Sequence, residues 1–226
     1  MIGPAHVIGM AKEEIRMREF SAVVLNGGKS SRLSGQNKGL LRLGGITILE
    51  RIVDVLSPLF PEVLVISNYP EQLGFLKGRC PIFQDEIKGL GPLGGIYTGL
   101  KKMRFETGFF VACDMPFLNP ELILTLLGNS EGADVVCPRI GEFIEPLHAV
   151  YSKKCIAPIE DIVQNGGKRR VRDLFARVKT RFVDLPEGRF YPEFLNINTW
   201  EDFEKAKGIL QKSGWSGIMF SESERG

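Results

Sequence analysis

The apolar run Phe20-Ser21-Ala22-Val23-Val24-Leu25 stops abruptly at Asn26-Gly27-Gly28, and this junction constrains the fold more than any other stretch. The β-branched content of the run reads as a strand. Paired glycines carry no Cβ, so a sharp turn there opens backbone N–H groups to close approach. Such a turn can form an anion-binding concavity. Arg32 and Lys38 follow, and their charge would neutralise phosphates. A phosphate-bearing substrate at the end of the first strand is the direct reading. A surface turn with solvated charges is the alternative. Gly28-Lys29-Ser30 imitates the close of a Walker P-loop, but the required first glycine falls on Val23, inside the strand.

Further along, Glu62 to Ser67, Pro81 to Gln84, Gly108 to Cys113 and Ala133 to Cys137 read as buried strands. Between the first two strands, Ile48, Leu49, Ile52, Val53, Val55 and Leu56 form a stripe close to helical period. Asn119-Pro120-Glu121 opens another helix with an N-cap, a proline at the first helical position and an early acid. This alternation predicts an α/β fold, a doubly wound, mostly parallel sheet with helices on both faces. Ligands of such folds bind at the carboxyl ends of the strands. A chain of 226 residues, 43% hydrophobic, suits one domain with a real core. Residues 20–212 are assigned to that domain, 1–19 to an N-terminal extension and 213–226 to a C-terminal tail; Met10 and Met17 are alternative starts.

Charge and cysteine usage narrow the function. With 29 basic and 27 acidic residues, the net charge of +2 argues against a general nucleic-acid binder. Cys80, Cys113, Cys137 and Cys155 form no C-x-x-C pair and read as buried free thiols of a cytoplasmic protein. His6 and His148 are too few for a His-rich zinc site. No apolar segment approaches the roughly 18 residues needed to span a membrane, and the first twenty residues lack the order of a signal peptide.

Asp114 directly follows the most apolar strand, within Cys113-Asp114-Met115-Pro116. An acid at that place suits Mg²⁺, which prefers a few carboxylates with phosphate oxygens and water. A turn-capping aspartate is the equal alternative from spacing alone. Asp85, closing the preceding apolar run, would end at the same edge and bind nucleotide or help hold the metal. Gly89-Leu90-Gly91-Pro92-Leu93-Gly94 spells G-x-G-x-x-G, with Asp114 at the acidic spacing of a dinucleotide-binding fingerprint. Against a dehydrogenase, the segment 85–88 separates strand from glycine, and Pro92 lacks an N–H for pyrophosphate.

The first loop, L-[AN]-G-G-x-S-x-R-x-x-x-x-x-K, resembles the signature of nucleotidyltransferases; Leu25, Gly27, Gly28, Ser30, Arg32 and Lys38 match it, while Asn26 stands where alanine is usual. Gly91-Pro92-Leu93-Gly94-Gly95-Ile96 with Gly99-Leu100, the C-D-M-P run at 113–116, and Leu195-Asn196-Ile197-Asn198-Thr199 with Asp202 follow in the order of the molybdenum cofactor guanylyltransferase family. The resemblance spans roughly Ser21 to Lys207. It implies a Rossmann-like nucleotidyltransferase fold, GTP and molybdopterin or molybdenum cofactor as substrates, Mg²⁺ on Asp114, and transient contacts with proteins that deliver or receive the cofactor.

By the same resemblance, Lys38, Arg32 and Asp114 are catalytic. Leu25, Asn26, Gly27, Gly28, Lys38, Asn68, Asp85, Gly91 and Asp114 bind nucleotide, with Leu25 and Asn68 beside the guanine. Lys168, Arg169, Arg170, Asn196 and Asn198 face the pterin. Each has a plainer reading as well. Asn68 is a turn former, the basic run a solvated face, and Thr199 with Asp202 a capping box on the final helix. Glu145-Pro146-Leu147-His148 resembles a further family segment, with Glu145 unusual there. A sugar-1-phosphate nucleotidyltransferase or CTP-using relative, an NAD-dependent oxidoreductase and a non-catalytic nucleotide-binding adaptor stand as alternatives.

Overall fold

The computed structural model describes residues 20–27, 37–87, 89–165 and 170–213. The extension 1–19 and all but the first residue of the tail 213–226 lie outside them. Among the described residues, eight strands form one sheet: β1 (Ser21–Asn26), β4 (Glu62–Ser67), β5 (Ile82–Gln84), β6 (Thr107–Ala112), β7 (Val135–Ile140), β8 (Phe143–Ile144), β9 (His148–Ser152) and β10 (Thr180–Asp184). The order across it is β10-β7-β9-β6-β1-β4-β5, with β8 paired to β7. A separate hairpin joins β2 (Arg42–Leu43) to β3 (Ile46–Thr47).

The sheet is mostly parallel, as the alternation predicts: β5, β4, β1 and β6 run together, and β10 follows β7. β9 is antiparallel to both neighbours and was not read from sequence, because it opens on His148 and leaves only a short apolar run, Ala149 to Tyr151. β7 begins at Val135, two positions later than expected. The Asp134 carboxylate accepts the Lys179 N–H and holds the turn that aligns Val135 with Thr180. The strand then runs through Pro138, which lacks a ladder donor. That is tolerated because its β9 pairing stops at Val136.

Six helices cover both faces: α1 (Ile48–Leu56), α2 (Pro92–Lys102), α3 (Pro120–Gly128), α4 (Ile156–Gln164), α5 (Val171–Phe175) and α6 (Trp200–Ser213) among the described residues. Successive strand side chains alternate between the two layers. Ala22, Val24, Val65 and Phe109 pack with α1, α3 and α6; Val23, Leu25, Leu64 and Phe110 pack with α2, α4 and α5. Thr47 caps α1 through a reciprocal box with Glu50. Asn119 caps α3 with Pro120 at its first position, as read from sequence. All four cysteines are free, three of them buried. No helix among the described residues is long and apolar enough to cross a membrane.

Candidate active site

Parallel register brings four strand ends to one edge. Asn26 lies opposite Ser67, and Ser67 opposite Gln84. Leu25 lies opposite Ala112, and its carbonyl accepts the Cys113 N–H at 3.0 Å. Gly27, Asn68 and Asp85 directly follow three of those ends and Asp114 follows the fourth after one intervening residue, Cys113, so they meet along a single cleft of about 640 Å³. That size suits a small-molecule or cofactor site.

Lys38 reaches this edge from a 3₁₀ turn, Lys38–Leu40, capped by the Asn37 side chain. Its ammonium donates to Asp114 Oδ2 at 2.8 Å and to Asn198 Oδ1 at 2.5 Å. The lysine and aspartate side chains are each 16% exposed, half-sheltered yet reachable from the cleft. Gly39 makes the approach possible: a Cβ there would sit 2.6 Å from Asn26 Oδ1. Asn26 itself is 2% exposed, and its amide donates to Ser67 Oγ at 3.1 Å, bracing β1 against β4. Its side chain thus faces inward, and only the neighbouring backbone reaches the cleft.

The opposite wall is built by α2. Its N-cap, Gly91, has φ 61° and ψ −147°, a conformation that a Cβ disfavours. The helix then runs against the sheet through its small residues. A Cβ at Gly99 would lie 2.7 Å from the Phe110 ring and 2.8 Å from Val23. Gly91 and Pro92 border the cleft, so the positive end of the α2 dipole faces it. The glycine run opens α2 only after residues 85–87 have left β5. This is not the direct strand-to-turn join of a dinucleotide fingerprint. Thr98, buried on α2, donates to Asp85 Oδ1 at 2.9 Å, and Ile87 N–H donates to the same oxygen at 3.2 Å. Both contacts fix the Asp85 carboxylate at the rim.

Asp114 Oδ1 is buried and has no hydrogen-bond partner among the described residues. A buried carboxylate oxygen left open beside a bound ammonium is the donor expected of a hard-cation site. Among the described residues no group of three His, Cys, Asp or Glu assembles a protein cage for a metal. The donor set therefore fits an ion held by one or two carboxylates, with substrate oxygens and water completing its shell.

The segment 195–198 closes the near side. Ile197 N–H donates to the Asp114 carbonyl at 2.9 Å. Asn196 donates to Glu145 Oε2 at 3.1 Å. Thr199 and Asp202 form the reciprocal box that starts α6, as read from sequence. Glu145 is 8% exposed; burial pushes its pKa up, against the hydrogen bonds from Leu147 and Asn196. Arg170 pairs with Asp173 at the start of α5. Gly28, Arg32, Lys168 and Arg169 lie outside the described residues. Sequence reasoning missed Gly39, Ser67 and Thr98, whose work depends on partners distant along the chain and which carry no local signal.

Comparison with known proteins agrees with this geometry. Residues 22–180 match the family model described as the MobA-like NTP transferase domain. A probable molybdenum cofactor guanylyltransferase of Pelotomaculum thermopropionicum is 38% identical over 201 residues, covering 87% of this chain and 96% of that protein. A molybdenum cofactor guanylyltransferase of Syntrophotalea carbinolica is 38% identical over 195 residues, covering 84% and 91%. The crystal structure of molybdopterin-guanine dinucleotide biosynthesis protein A from Archaeoglobus fulgidus superposes with a TM-score of 0.73 at 27% identity, covering 85% of this chain and all of that one. Such an enzyme family points to a divalent metal, in keeping with the open oxygen of Asp114. With a family model matching residues 22–180 and relatives 38% identical over most of its length, the chain is a nucleotidyltransferase belonging to the molybdenum cofactor guanylyltransferase family.

Proposed function

We propose that the protein transfers GMP from GTP to the terminal phosphate of molybdopterin or its molybdenum complex, forming the guanine dinucleotide cofactor and releasing pyrophosphate. The observation that carries this reading is the meeting of Lys38, Asp114 and Asn198 at the ends of β1 and β6. The attacking phosphate oxygen forms a bond to the α-phosphorus as the bond to the pyrophosphate oxygen breaks. No general base is required, because a phosphate monoester is already ionised near neutral pH. All reacting groups are anions, so catalysis is chiefly placement and charge neutralisation. Lys38 supplies a cation within the cleft, the α2 N-terminus adds its dipole, and Arg32 with the backbone of Gly27 and Gly28 is assigned to the triphosphate. Asp114, with Asp85 at the rim, would hold Mg²⁺, which supplies Lewis-acid neutralisation of phosphate oxygens.

Leu25 and Asn68 border the cleft where the guanine is assigned, and Asn196, Asn198, Lys168, Arg169 and Arg170 are assigned to the pterin side. The four free thiols favour a reducing, cytoplasmic setting. Transient hand-over contacts with proteins that supply or receive the cofactor belong to the same reading. The test is pyrophosphate release with molybdopterin and either GTP or CTP, run beside glucose 1-phosphate as acceptor. Turnover with GTP and molybdopterin alone is expected. Sugar-nucleotide formation without molybdopterin would replace the proposal, and equal rates with CTP would remove its base preference only.

A further inference from the structure

We propose that Thr98 is a positioning residue whose hydroxyl holds Asp85 so that one carboxylate oxygen, Oδ2, is presented to the bound nucleotide complex. The inference rests on the proposed function for the identity of that nucleotide. It starts from a side chain that packing alone does not explain. Thr98 lies within α2, is fully buried, and stands behind the cleft rather than in it. A threonine inside a helix commonly turns its hydroxyl to the carbonyl four residues back. Here the hydroxyl turns to the loop after β5 instead. It donates to Asp85 Oδ1 at 2.9 Å and accepts the Glu86 N–H at 3.0 Å.

Asp85 is the member of this pair that lines the cleft. Its two oxygens are unequal. Oδ1 takes two donors, the Thr98 hydroxyl and the Ile87 N–H at 3.2 Å. Oδ2 takes none from the described residues, on a side chain that is only half-buried. Gly94 marks where Oδ2 lies: a Cβ there would be 3.1 Å from it and 2.9 Å from the Ile87 carbonyl. The carboxylate therefore rests against the bare backbone of the first turn of α2, at the positive end of its dipole. Without the hydroxyl, Asp85 would keep only the Ile87 contact and would rotate about its side-chain bonds, exchanging one oxygen for the other. Thr98 thus settles which oxygen is free and holds it still before the nucleotide arrives. A single open carboxylate oxygen suits a hard partner, either Mg²⁺ or a ribose hydroxyl of the nucleotide.

Thr98→Val keeps the shape of the side chain and removes the hydroxyl, whereas Thr98→Ser keeps the hydroxyl. GTP affinity is measured by calorimetry, with no acceptor present and across a series of Mg²⁺ concentrations. Wild type, both variants, Asp85→Ala and Asp85→Ala/Thr98→Val are compared, each with a thermal melt. Expected is a loss of about tenfold in GTP affinity for Thr98→Val, the size of one lost hydrogen bond to a charged group. Thr98→Ser recovers to within about threefold, and both variants melt within a few degrees of wild type. With Asp85 already replaced by alanine, Thr98→Val changes affinity by less than about twofold, because its route to the nucleotide is gone. A raised Mg²⁺ midpoint in Thr98→Val identifies the partner of Oδ2 as the ion; a loss that disappears with a dideoxyribose analogue of GTP identifies it as a ribose hydroxyl. Unchanged affinity in Thr98→Val, or the full loss repeated in the Asp85→Ala background, overturns the proposal. So does a folded Thr98→Ser that binds no better than Thr98→Val. If wild type binds no GTP, the proposed function falls and takes this inference with it; a silent Thr98→Val leaves that function standing.

Discussion

At the scale of single residues, the site depends on small atoms as much as on charged ones. Asp114→Asn keeps the shape of the side chain but removes the charge facing both Lys38 and the open oxygen position. We expect turnover to fall by at least about a hundredfold, since removing one preorganised electrostatic group commonly costs that much. The melting temperature should hold to within a few degrees, because the side chain sits at a strand end rather than in the core. Steady-state pyrophosphate release with a thermal melt checks both halves. Gly39→Ala is the complementary case. A methyl placed 2.6 Å from Asn26 Oδ1 must push the 3₁₀ turn away or break the Asn26–Ser67 bond. Either movement shifts the Lys38 ammonium from Asp114, with about 1–3 kcal/mol lost in urea unfolding and kcat falling with it. If Gly39→Ala were as stable and active as wild type, the turn would not be what holds Lys38. Lys38 and Asp114 were legible in the sequence because motif spacing marks them. Gly39 was not, since its constraint is a contact with a residue on another element.

At the scale of elements, α2 shows why local patterning is insufficient. Its sequence, Pro92 to Lys102, looks like a glycine-rich phosphate loop, and the structure makes most of it a buried helix. The glycines serve close approach: the helix can lie on β1 and β6 because Gly99 presents no Cβ to Val23 and Phe110. Gly99→Ala should therefore destabilise the protein by about 1–3 kcal/mol despite alanine's higher helix propensity. A urea denaturation midpoint equal to or above that of wild type would show that α2 can back away from the sheet freely. β1, β4 and β6 were readable because both their faces are buried and their sequences are continuous apolar runs. β9 and β10 escaped for opposite reasons. β9 hides a histidine at its start, and β10 is an edge strand of half-exposed residues whose pattern resembles a loop. The helix caps at Thr47, Asn119 and Thr199 are side-chain-to-backbone bonds within a few residues, so sequence alone can carry them.

For the whole molecule, the buried histidine couples the core to pH. His148 is fully buried on β9, edge-on to the rings of Phe109 and Phe194 with centroids 4.9 and 5.4 Å away. Neither ring nitrogen has a hydrogen-bond partner among the described residues. Burial alone pushes its pKa down from 6.5 to about 3, so the folded protein keeps the imidazole neutral. The unfolded chain binds a proton near 6.5 that the folded one refuses until about 3. Between those values the unfolded state holds more protons, and stability falls as pH falls. Stability from this group is whole above 6.5 and is lost progressively on acidification. Over the stretch from 6.5 to 4.5 the loss is about 2 kcal/mol, at roughly 1.4 kcal/mol per pH unit. That is a sizeable share of a typical domain's 5–15 kcal/mol. Glu145 works in the opposite sense: burial raises its pKa, so its protonation in the folded state relieves a cost as pH falls and offsets part of the loss. Glu50, Glu86 and Asp184 all have lowered pKa values and contribute to acid lability only below their ordinary range, near 4.5 and under. A His148 variant compared with wild type over this range therefore isolates the histidine, because Glu145 and the other acids are common to both proteins. His148→Phe fills the same space between two aromatic rings and removes the titration. Urea unfolding at pH 7 and pH 5 should show wild type losing stability between the two conditions while the variant stays nearly level. An equal acid loss in both proteins would mean that the imidazole is solvated or paired in the folded state, and that the closing of β6 against β9 does not exclude water from it.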